Sequence, residues 1–322
     1  MLTILIGRAK TGKSDKVLRR MAELGETSRQ ILLVPEHASH QAEVDVCRAC
    51  GDTASRHAEV LSFRRLGERV LSTTGGIADV TLDNGGKLLT LQRALLETAP
   101  QLTLYRKPSQ KVGFLEQMLA LFDELRCYEV TPEILYQQAQ DIGGATHDKL
   151  TDLSLLYAAY AARLCRPGLD ARDRMTKLCD HLEESGYVRD KDIFIDGFTY
   201  FNAQERRVLA AFLRQARSVT VTLLGEVNSR EEIFAPTLKT MEMLERLART
   251  ENRPVKIEAL TSTGTSALEH LERHFFGENI PYEGGSGAVH LREASTVYAE
   301  VEQTAADIRR LLAAGKCRCR DI

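Results

Sequence analysis

Residues 7–14 read Gly-Arg-Ala-Lys-Thr-Gly-Lys-Ser and match the phosphate-loop pattern G-x-x-x-x-G-K-S/T at every specified position. The apolar run Leu2–Ile6 before them predicts a buried strand, and Asp15–Leu24 after them predicts a helix. Strand, loop and helix in this order form the context in which the pattern binds phosphate. A glycine-rich turn without a ligand is the alternative.

The residue types of the loop explain the chemistry that it predicts. Glycines let backbone N–H groups converge on phosphate oxygens, and the start of the following helix adds a positive dipole. Lys13 is expected to reach the β- and γ-phosphates, and the Ser14 hydroxyl to ligate Mg²⁺, so ATP with Mg²⁺ is the expected cofactor. The predicted nucleotide-binding residues are Gly7, Arg8, Ala9, Lys10, Thr11, Gly12, Lys13 and Ser14.

Length and composition place the chain among ordinary soluble proteins. Its 322 residues suffice for one large α/β domain with an insertion or for two domains. The net charge of −2 gives no global electrostatic argument for nucleic-acid binding, so any such surface must be local. We find no signal region and no apolar run of about 18 residues or more, and we expect a cytoplasmic protein without membrane contact.

Seven cysteines, an odd number spread over a long chain, favour reduced thiols over a disulfide framework. Cys47-x-x-Cys50 and Cys317-x-Cys319 raise the possibility of zinc. Neither has a local second pair to complete four ligands, which favours structural or free thiols.

Strands and helices alternate after the loop, which predicts right-handed crossovers in a parallel sheet. The predicted elements are strand Gln30–Val34, helix Ala38–Cys50, strand Glu59–Leu61, strand Asp192–Phe198, helix Ala203–Gln215, strand Val219–Leu224, helix Glu231–Arg249, strands Val255–Ala259 and Val289–Glu293, and helix Tyr298–Ala313. Asp196 lies in an apolar strand near its end, where a second nucleotide-site motif holds Mg²⁺.

A helical stretch interrupts this alternation, with apolar residues at helical spacing and no convincing strand between them. Its predicted helices are Leu88–Leu96, Phe114–Leu125, Ile134–Ala139, Leu150–Leu164 and Met175–Leu182. We interpret it as a largely helical subdomain inserted into the sheet domain; a separate helical domain is the alternative.

Several stretches together resemble one known family. They are residues 7–14, Leu-Val-Pro-Glu at 33–36, Val-Leu-Ser-Phe-Arg-Arg-Leu at 60–66 and Ile-Asp-Gly-Phe at 195–198. In these the chain resembles AddB, the B subunit of bacterial AddAB (RexAB) helicase–nucleases, which is related to UvrD-type superfamily 1 helicases. The resemblance runs from end to end, and residues 316–322 resemble the family's approach to a next strand.

The resemblance implies an α/β fold of the P-loop NTPase (RecA-like) kind, a parallel sheet with a largely helical inserted subdomain. It implies a core of residues 1–80 and 190–285, an insertion of 81–189, and the truncated start of a following helicase-like domain at 286–322. It also implies an AddA-type partner subunit in a heterodimer, and single- and double-stranded DNA as ligands.

The family's segments at strand ends imply single-stranded DNA contacts, with Phe63 stacking on bases and arginines on phosphates. The implied DNA-binding residues are Pro35, Ser62, Phe63, Arg64, Arg65 and Arg69. For the arginines, a solvated helix face is the alternative.

Two departures from the helicase pattern bear on hydrolysis. Gly197 follows Asp196 where active enzymes carry a glutamate that activates water, and only residues 1–6 precede the loop, without an adenine-reading glutamine motif.

The resemblance further implies that the nuclease domain and iron–sulfur cluster lie outside this fragment. We therefore expect the nucleotide-binding N-terminal domain of a subunit that processes double-strand breaks for recombinational repair. A hydrolysis-incompetent scaffold that scans DNA is one alternative, and a small-molecule P-loop kinase is another.

Overall fold

The computed structural model describes residues 1–75, 82–106, 112–166, 169–170, 174–227, 229, 231–262, 264–277, 280–285, 287, 289–319 and 322. The chain forms two compact units, Met1–Ser262 and Thr263–Ile322. None of the described helices combines the length and the apolar character needed to cross a membrane.

The described strands are β1 (Leu2–Gly7), β2 (Gln30–Leu33), β3 (Ala58–Leu61), β4 (Cys165–Arg166), β5 (Leu169–Asp170), β6 (Asp192–Ile195), β7 (Ser218–Leu224) and β8 (Val255–Leu260). The described helices are α1 (Lys13–Leu24), α2 (Ser39–Cys50), α3 (Phe63–Thr74), α4 (Asn84–Thr98), α5 (Val112–Cys127), α6 (Pro132–Gln140), α7 (Gly144–Leu164), α8 (Arg174–Ser185), α9 (Ala203–Gln215), α10 (Ala235–Thr250), α11 (Ala267–His274) and α12 (Val297–Ala313).

The first unit is built on a six-stranded parallel sheet in the order β3-β2-β6-β7-β1-β8. Alternate side chains of each strand point to opposite faces, and both faces are covered by helices. Ile4 and Ile6 pack in the core shared with α3, α8, α9 and α10, whereas Leu5 packs in the core shared with α1 and α2. This three-layer arrangement confirms the predicted α/β fold.

The predicted helical stretch is confirmed as helices α4 to α8, and α4 to α7 share a core of their own. Phe122 lies at its centre, stacked on Tyr157 at 4.8 Å and on Tyr160 at 5.8 Å between ring centroids. The antiparallel pair β4 and β5 was not predicted. The domain boundaries remain a prediction, and the one near residues 80 and 81 falls outside the described residues.

Two predicted strands differ from the structure. The strand predicted over 192–198 ends at Ile195, so Asp196 already belongs to the loop. The strand predicted at Val289–Glu293 is wrong, because these residues form neither strand nor helix. Leu291 is fully exposed there, and an isolated segment with no apolar face to bury gains nothing from extended pairing.

The second unit has little interior of its own. It contains α11 and α12, and none of its described residues is buried. Of the stretch 316–322, resembling the approach to a next strand, residues 320 and 321 lie outside the described residues.

Candidate nucleotide site

The phosphate-loop residues lie at the carboxyl edge of the sheet, which is where ligands bind in open α/β folds. Gly7 ends β1 and stands level with Leu224 of β7 and Leu260 of β8. A Cβ atom on Gly7 would lie 2.7 Å from the Leu260 carbonyl oxygen and closer still to the Thr11 hydroxyl. Only glycine therefore lets the loop leave the sheet at this point.

The loop reaches α1 through residues in the left-handed conformation. Lys10 has a φ of 56° and Gly12 a φ of 77°. Gly12 is the N-cap of α1 and carries no side chain that could cap the first turn. The positive end of the helix dipole therefore faces the loop, with Asp15 as the acidic residue of the first turn.

The Lys13 ammonium lies inside the loop. Its Nζ donates hydrogen bonds to the Gly7 and Arg8 carbonyl oxygens, both at 2.7 Å, and to Thr11 Oγ1 at 3.4 Å. Thr11 Oγ1 in turn donates to the Arg8 carbonyl oxygen at 2.9 Å. These residues fit a Mg²⁺-bound triphosphate, because the acceptors of Lys13 are loop oxygens that phosphate oxygens can replace.

Arg8 connects the loop to the segment after β7, a contact that the sequence did not reveal. Its Nε donates to Glu226 Oε2 at 3.0 Å, and its Nη2 pairs with Glu231. The guanidinium also lies 4.8 Å from the centroid of the Phe234 ring. More than 200 residues separate these groups along the chain, and only the sheet order brings them together.

Asp196 follows β6, which is separated from β1 by β7. Neighbouring strands lie about 4.8 Å apart, so the axes of β1 and β6 are about 10 Å apart. The Asp196 backbone N–H donates to the Leu33 carbonyl oxygen at 3.0 Å, and its half-buried carboxylate accepts a hydrogen bond from Thr222. Asp196 and Ser14 thus lie at the same edge of the sheet. Ser14 is exposed in the first turn of α1.

Gly197 adopts a conformation that a glutamate would resist. Its φ is 83°, and a Cβ atom here would lie 3.3 Å from Cδ of Pro35. Left-handed backbone is costly for any residue with a Cβ. A glutamate directly after Asp196 would therefore be strained by the backbone and would crowd Pro35.

The sequence-predicted DNA-binding arginines all contact carboxylates. Arg64 donates to Glu36 at 2.6 Å and to Glu68 at 3.3 Å. Ser62 caps α3 and also bonds Glu36, and the Arg64 and Ser62 hydrogen bonds hold the pKa of Glu36 below its usual value. The remaining pairs are Arg65 with Glu43 at 2.6 Å and Arg69 with Glu59 at 3.5 Å.

Phe63 belongs to an aromatic cluster at the same edge of the sheet. Its ring meets Phe198 edge-on at 5.5 Å, and Phe198 stacks on Phe201 at 5.4 Å between centroids. Tyr200, which directly precedes Phe201 in the sequence, is 66% exposed, and no sequence pattern singled it out. Pro35 is half-buried and lies against Gly197. The carboxyl ends of β2, β3 and β6 thus carry what we call the aromatic and arginine surface, formed by Phe63, Arg64, Arg65, Phe198 and Tyr200. Phe63 and Phe198 are half-buried against the core, and Phe201 is buried.

No group of three or more histidine, cysteine or acidic side chains within the described residues is arranged to hold a metal ion. All seven cysteines lie in that part of the chain and are free thiols. Burial, reinforced by Cys47, raises the pKa of the Cys50 thiol.

Comparison with known proteins gives one consistent result. The family model described as "ADDB, N-terminal" matches residues 4–272. Three relatives are each named as the B subunit of an ATP-dependent helicase/deoxyribonuclease. The relative from Geobacillus kaustophilus (strain HTA426) is 31% identical over 100% of this chain and 30% of its own length. Those from Desulforudis audaxviator (strain MP104C) and Moorella thermoacetica (strain ATCC 39073 / JCM 9320) are 33% identical, over 100% and 96% of this chain and 29% of their own lengths. The chain thus spans about three tenths of the length of each of these relatives.

Proposed function

This chain belongs to the family of AddB N-terminal domains, and from that premise we propose that it binds Mg²⁺-ATP at residues 7–14. We propose further that it acts within a helicase/nuclease subunit that processes double-strand breaks for recombinational repair. The observation that carries the nucleotide proposal is the Lys13 ammonium enclosed by the loop at the carboxyl end of β1. The names of the relatives support the wider role.

The residues of the loop have separate tasks in this proposal. Lys13 exchanges its carbonyl acceptors for oxygens of the terminal phosphates, and the first turn of α1 donates its N–H groups to the same charge. Ser14 and Asp196 hold the metal side of the site. When bound, Mg²⁺-ATP supplies the negative charge and the ligand oxygens that these groups are arranged to meet.

We propose that the domain binds the triphosphate without rapid hydrolysis. Asp196 is followed by Gly197, whose left-handed backbone and close approach to Pro35 disfavour a glutamate at this position. An enzyme without its water-positioning residue loses most of the catalytic rate while retaining affinity. ATP would then serve as a ligand that stabilises one conformation of the protein.

DNA and a second subunit complete the proposal. The aromatic and arginine surface at the ends of β2, β3 and β6 supports single-stranded DNA as a ligand on the same edge as the nucleotide. The relatives are named as one subunit of a larger enzyme, which supports a heterodimer with an AddA-type partner.

Titration of the purified chain with Mg²⁺-ATP tests the nucleotide site. Lys13→Ala removes the ammonium that neutralises the phosphates, and we expect affinity to fall by about a hundredfold, in line with the loss of hydrogen bonds between charged groups. Arg19→Ala, which also removes one positive charge from α1 but at an exposed position, should leave affinity within about twofold. Calorimetry measures both.

Two results would contradict the proposal. If the wild-type chain fails to bind at millimolar Mg²⁺-ATP, the domain is a scaffold with a vestigial loop. Transfer of the γ-phosphate to a small molecule at a useful rate would instead assign the loop to a kinase.

A further inference from the structure

Arg8 connects the phosphate loop to the segment that follows β7. Its guanidinium is held by Glu226 and Glu231 and lies over Phe234. We call Arg8, Glu226, Glu231 and Phe234 the Arg8 clamp. Only 14% of the Arg8 side chain is exposed, although it is an arginine at the mouth of a charged site.

The clamp engages the Arg8 guanidinium through two carboxylates and a ring outside the loop. Two carboxylates and an aromatic ring satisfy a guanidinium that would otherwise be drawn to the phosphates. Lys13 meanwhile contacts the carbonyl oxygen of the same residue, Arg8, at 2.7 Å. The side chain of Arg8 is therefore fixed to the segment after β7, while its backbone lies against the ammonium that is proposed to bind the nucleotide.

We infer that Arg8 is a positioning residue, which fixes the start of the phosphate loop to the segment after β7 and so pre-organises the site for the triphosphate. The inference rests on the proposed nucleotide binding at residues 7–14. Arg8 is among the nucleotide-binding residues that the sequence predicts. As a positioning residue it acts through Glu231 and Phe234 and not as a phosphate ligand. Glu231, with 22% of its side chain exposed, is the better-shielded carboxylate; Glu226 is 56% exposed.

The two possible roles of Arg8 make opposite predictions for Glu231→Gln. If Arg8 bound phosphate directly, removing Glu231 would release the guanidinium and remove a nearby negative charge, and affinity for Mg²⁺-ATP would rise. If Arg8 positions the loop, the same change loosens the clamp, and affinity falls despite the gain in charge. The sign of the effect therefore separates a ligand from a positioning residue.

The experiment measures Mg²⁺-ATP affinity by calorimetry for the wild-type chain, Arg8→Gln, Glu231→Gln and the double variant. We expect each single change to weaken binding by about tenfold, as expected for loss of a charged hydrogen bond, and the double variant to be no weaker than Arg8→Gln alone. Glu226→Gln should have a smaller effect, because its carboxylate is more exposed.

A matched control is available in α9. Arg214 also lies between two glutamates, Glu183 and Glu251, at a site remote from the loop in the fold. Arg214→Gln should leave Mg²⁺-ATP affinity unchanged. The denaturation midpoint of each variant without nucleotide reports any purely structural effect, which would lower that midpoint without altering the affinity of the folded chain.

The outcomes distinguish the inference from the function on which it rests. Absence of binding by the wild-type chain overturns the proposed function, and the positioning role with it. Binding by the wild type together with equal or tighter binding by Glu231→Gln overturns the positioning role alone. If Arg8→Gln does not fold, the sign for Glu231→Gln still decides between the two roles.

Discussion

Single residues set the chemical limits of the candidate site, and two glycines do so by what they exclude. A Cβ atom at Gly7 would lie 2.7 Å from the Leu260 carbonyl oxygen, so the chain can pass this close to β8 only with glycine. Gly197 turns the backbone after Asp196 into the left-handed region beside Pro35. The first glycine permits the close approach of the loop to β8, and the second disfavours any side chain directly after Asp196.

Gly197→Ala tests this backbone constraint. An L-residue at a φ of 83° is strained by about 1–2 kcal/mol, and the lower entropy of the unfolded chain offsets part of this. We expect the free energy of unfolding to fall by about 1 kcal/mol in urea denaturation. Gly113→Ala in α5, where a Cβ meets nothing within 4 Å, should instead stabilise the chain by about 0.5–1 kcal/mol. A neutral or stabilising Gly197→Ala would contradict the constraint.

Among the helices, α7 holds the connection that follows α4 through one buried carboxylate. Asp152 is 2% exposed and accepts hydrogen bonds from the backbone N–H groups of Thr103, Leu104 and Tyr105, at 2.7–3.1 Å. These three groups lie in the connection that follows α4. The carboxylate thus fastens this connection to α7 and provides an acceptor for three backbone N–H groups.

Asp152→Ala removes that anchor. Three N–H groups lose a charged acceptor, and we expect the free energy of unfolding to fall by about 3 kcal/mol. Asp152→Asn keeps one carbonyl oxygen and should lose only about half as much. Chemical denaturation of the three chains gives these differences. If the alanine variant loses less than the asparagine variant, the carboxylate is not what holds the connection.

Across the whole first unit, the parallel sheet gathers most candidate functional groups at one edge, whereas Arg69 pairs with Glu59, the second residue of β3, nearer the opposite edge. The phosphate loop follows β1, Asp196 follows β6, and the aromatic and arginine surface follows β2, β3 and β6. Glu36 lies within this surface and pairs with Arg64. The carboxylate therefore competes with any phosphate backbone for that arginine.

Binding of single-stranded DNA at this edge is testable through that competition. Glu36→Gln removes the competing charge, so we expect tighter binding of an oligonucleotide, whereas Arg64→Gln should weaken it and reduce the slope of log K against log salt by about 0.7. Fluorescence anisotropy at several salt concentrations measures both. Arg249→Gln on α10, an exposed arginine also paired with a glutamate, serves as the control. Equal affinities for all four chains would remove Arg64 from the DNA path.

The sequence was sufficient for the order of elements but not for contacts between distant residues. Periodicity predicted the strands around the loop and the helices α4 to α7, because each has a local apolar pattern. It failed at Val289–Glu293, where an apolar residue has no partner to bury it. Contacts between residues far apart in the sequence leave no periodic signal in the chain. Such contacts form the Arg8 clamp, the anchor at Asp152 and the ion pairs of the arginines.

The conformation of Gly197 also constrains how this site can change over generations. A single codon change to glutamate would place a strained residue against Pro35, so its destabilisation would arrive before any gain in catalysis. A change at Pro35 that relieves this contact would therefore lower the cost of a side chain at position 197. The glycine after Asp196 is therefore easier to keep than to exchange for a second carboxylate.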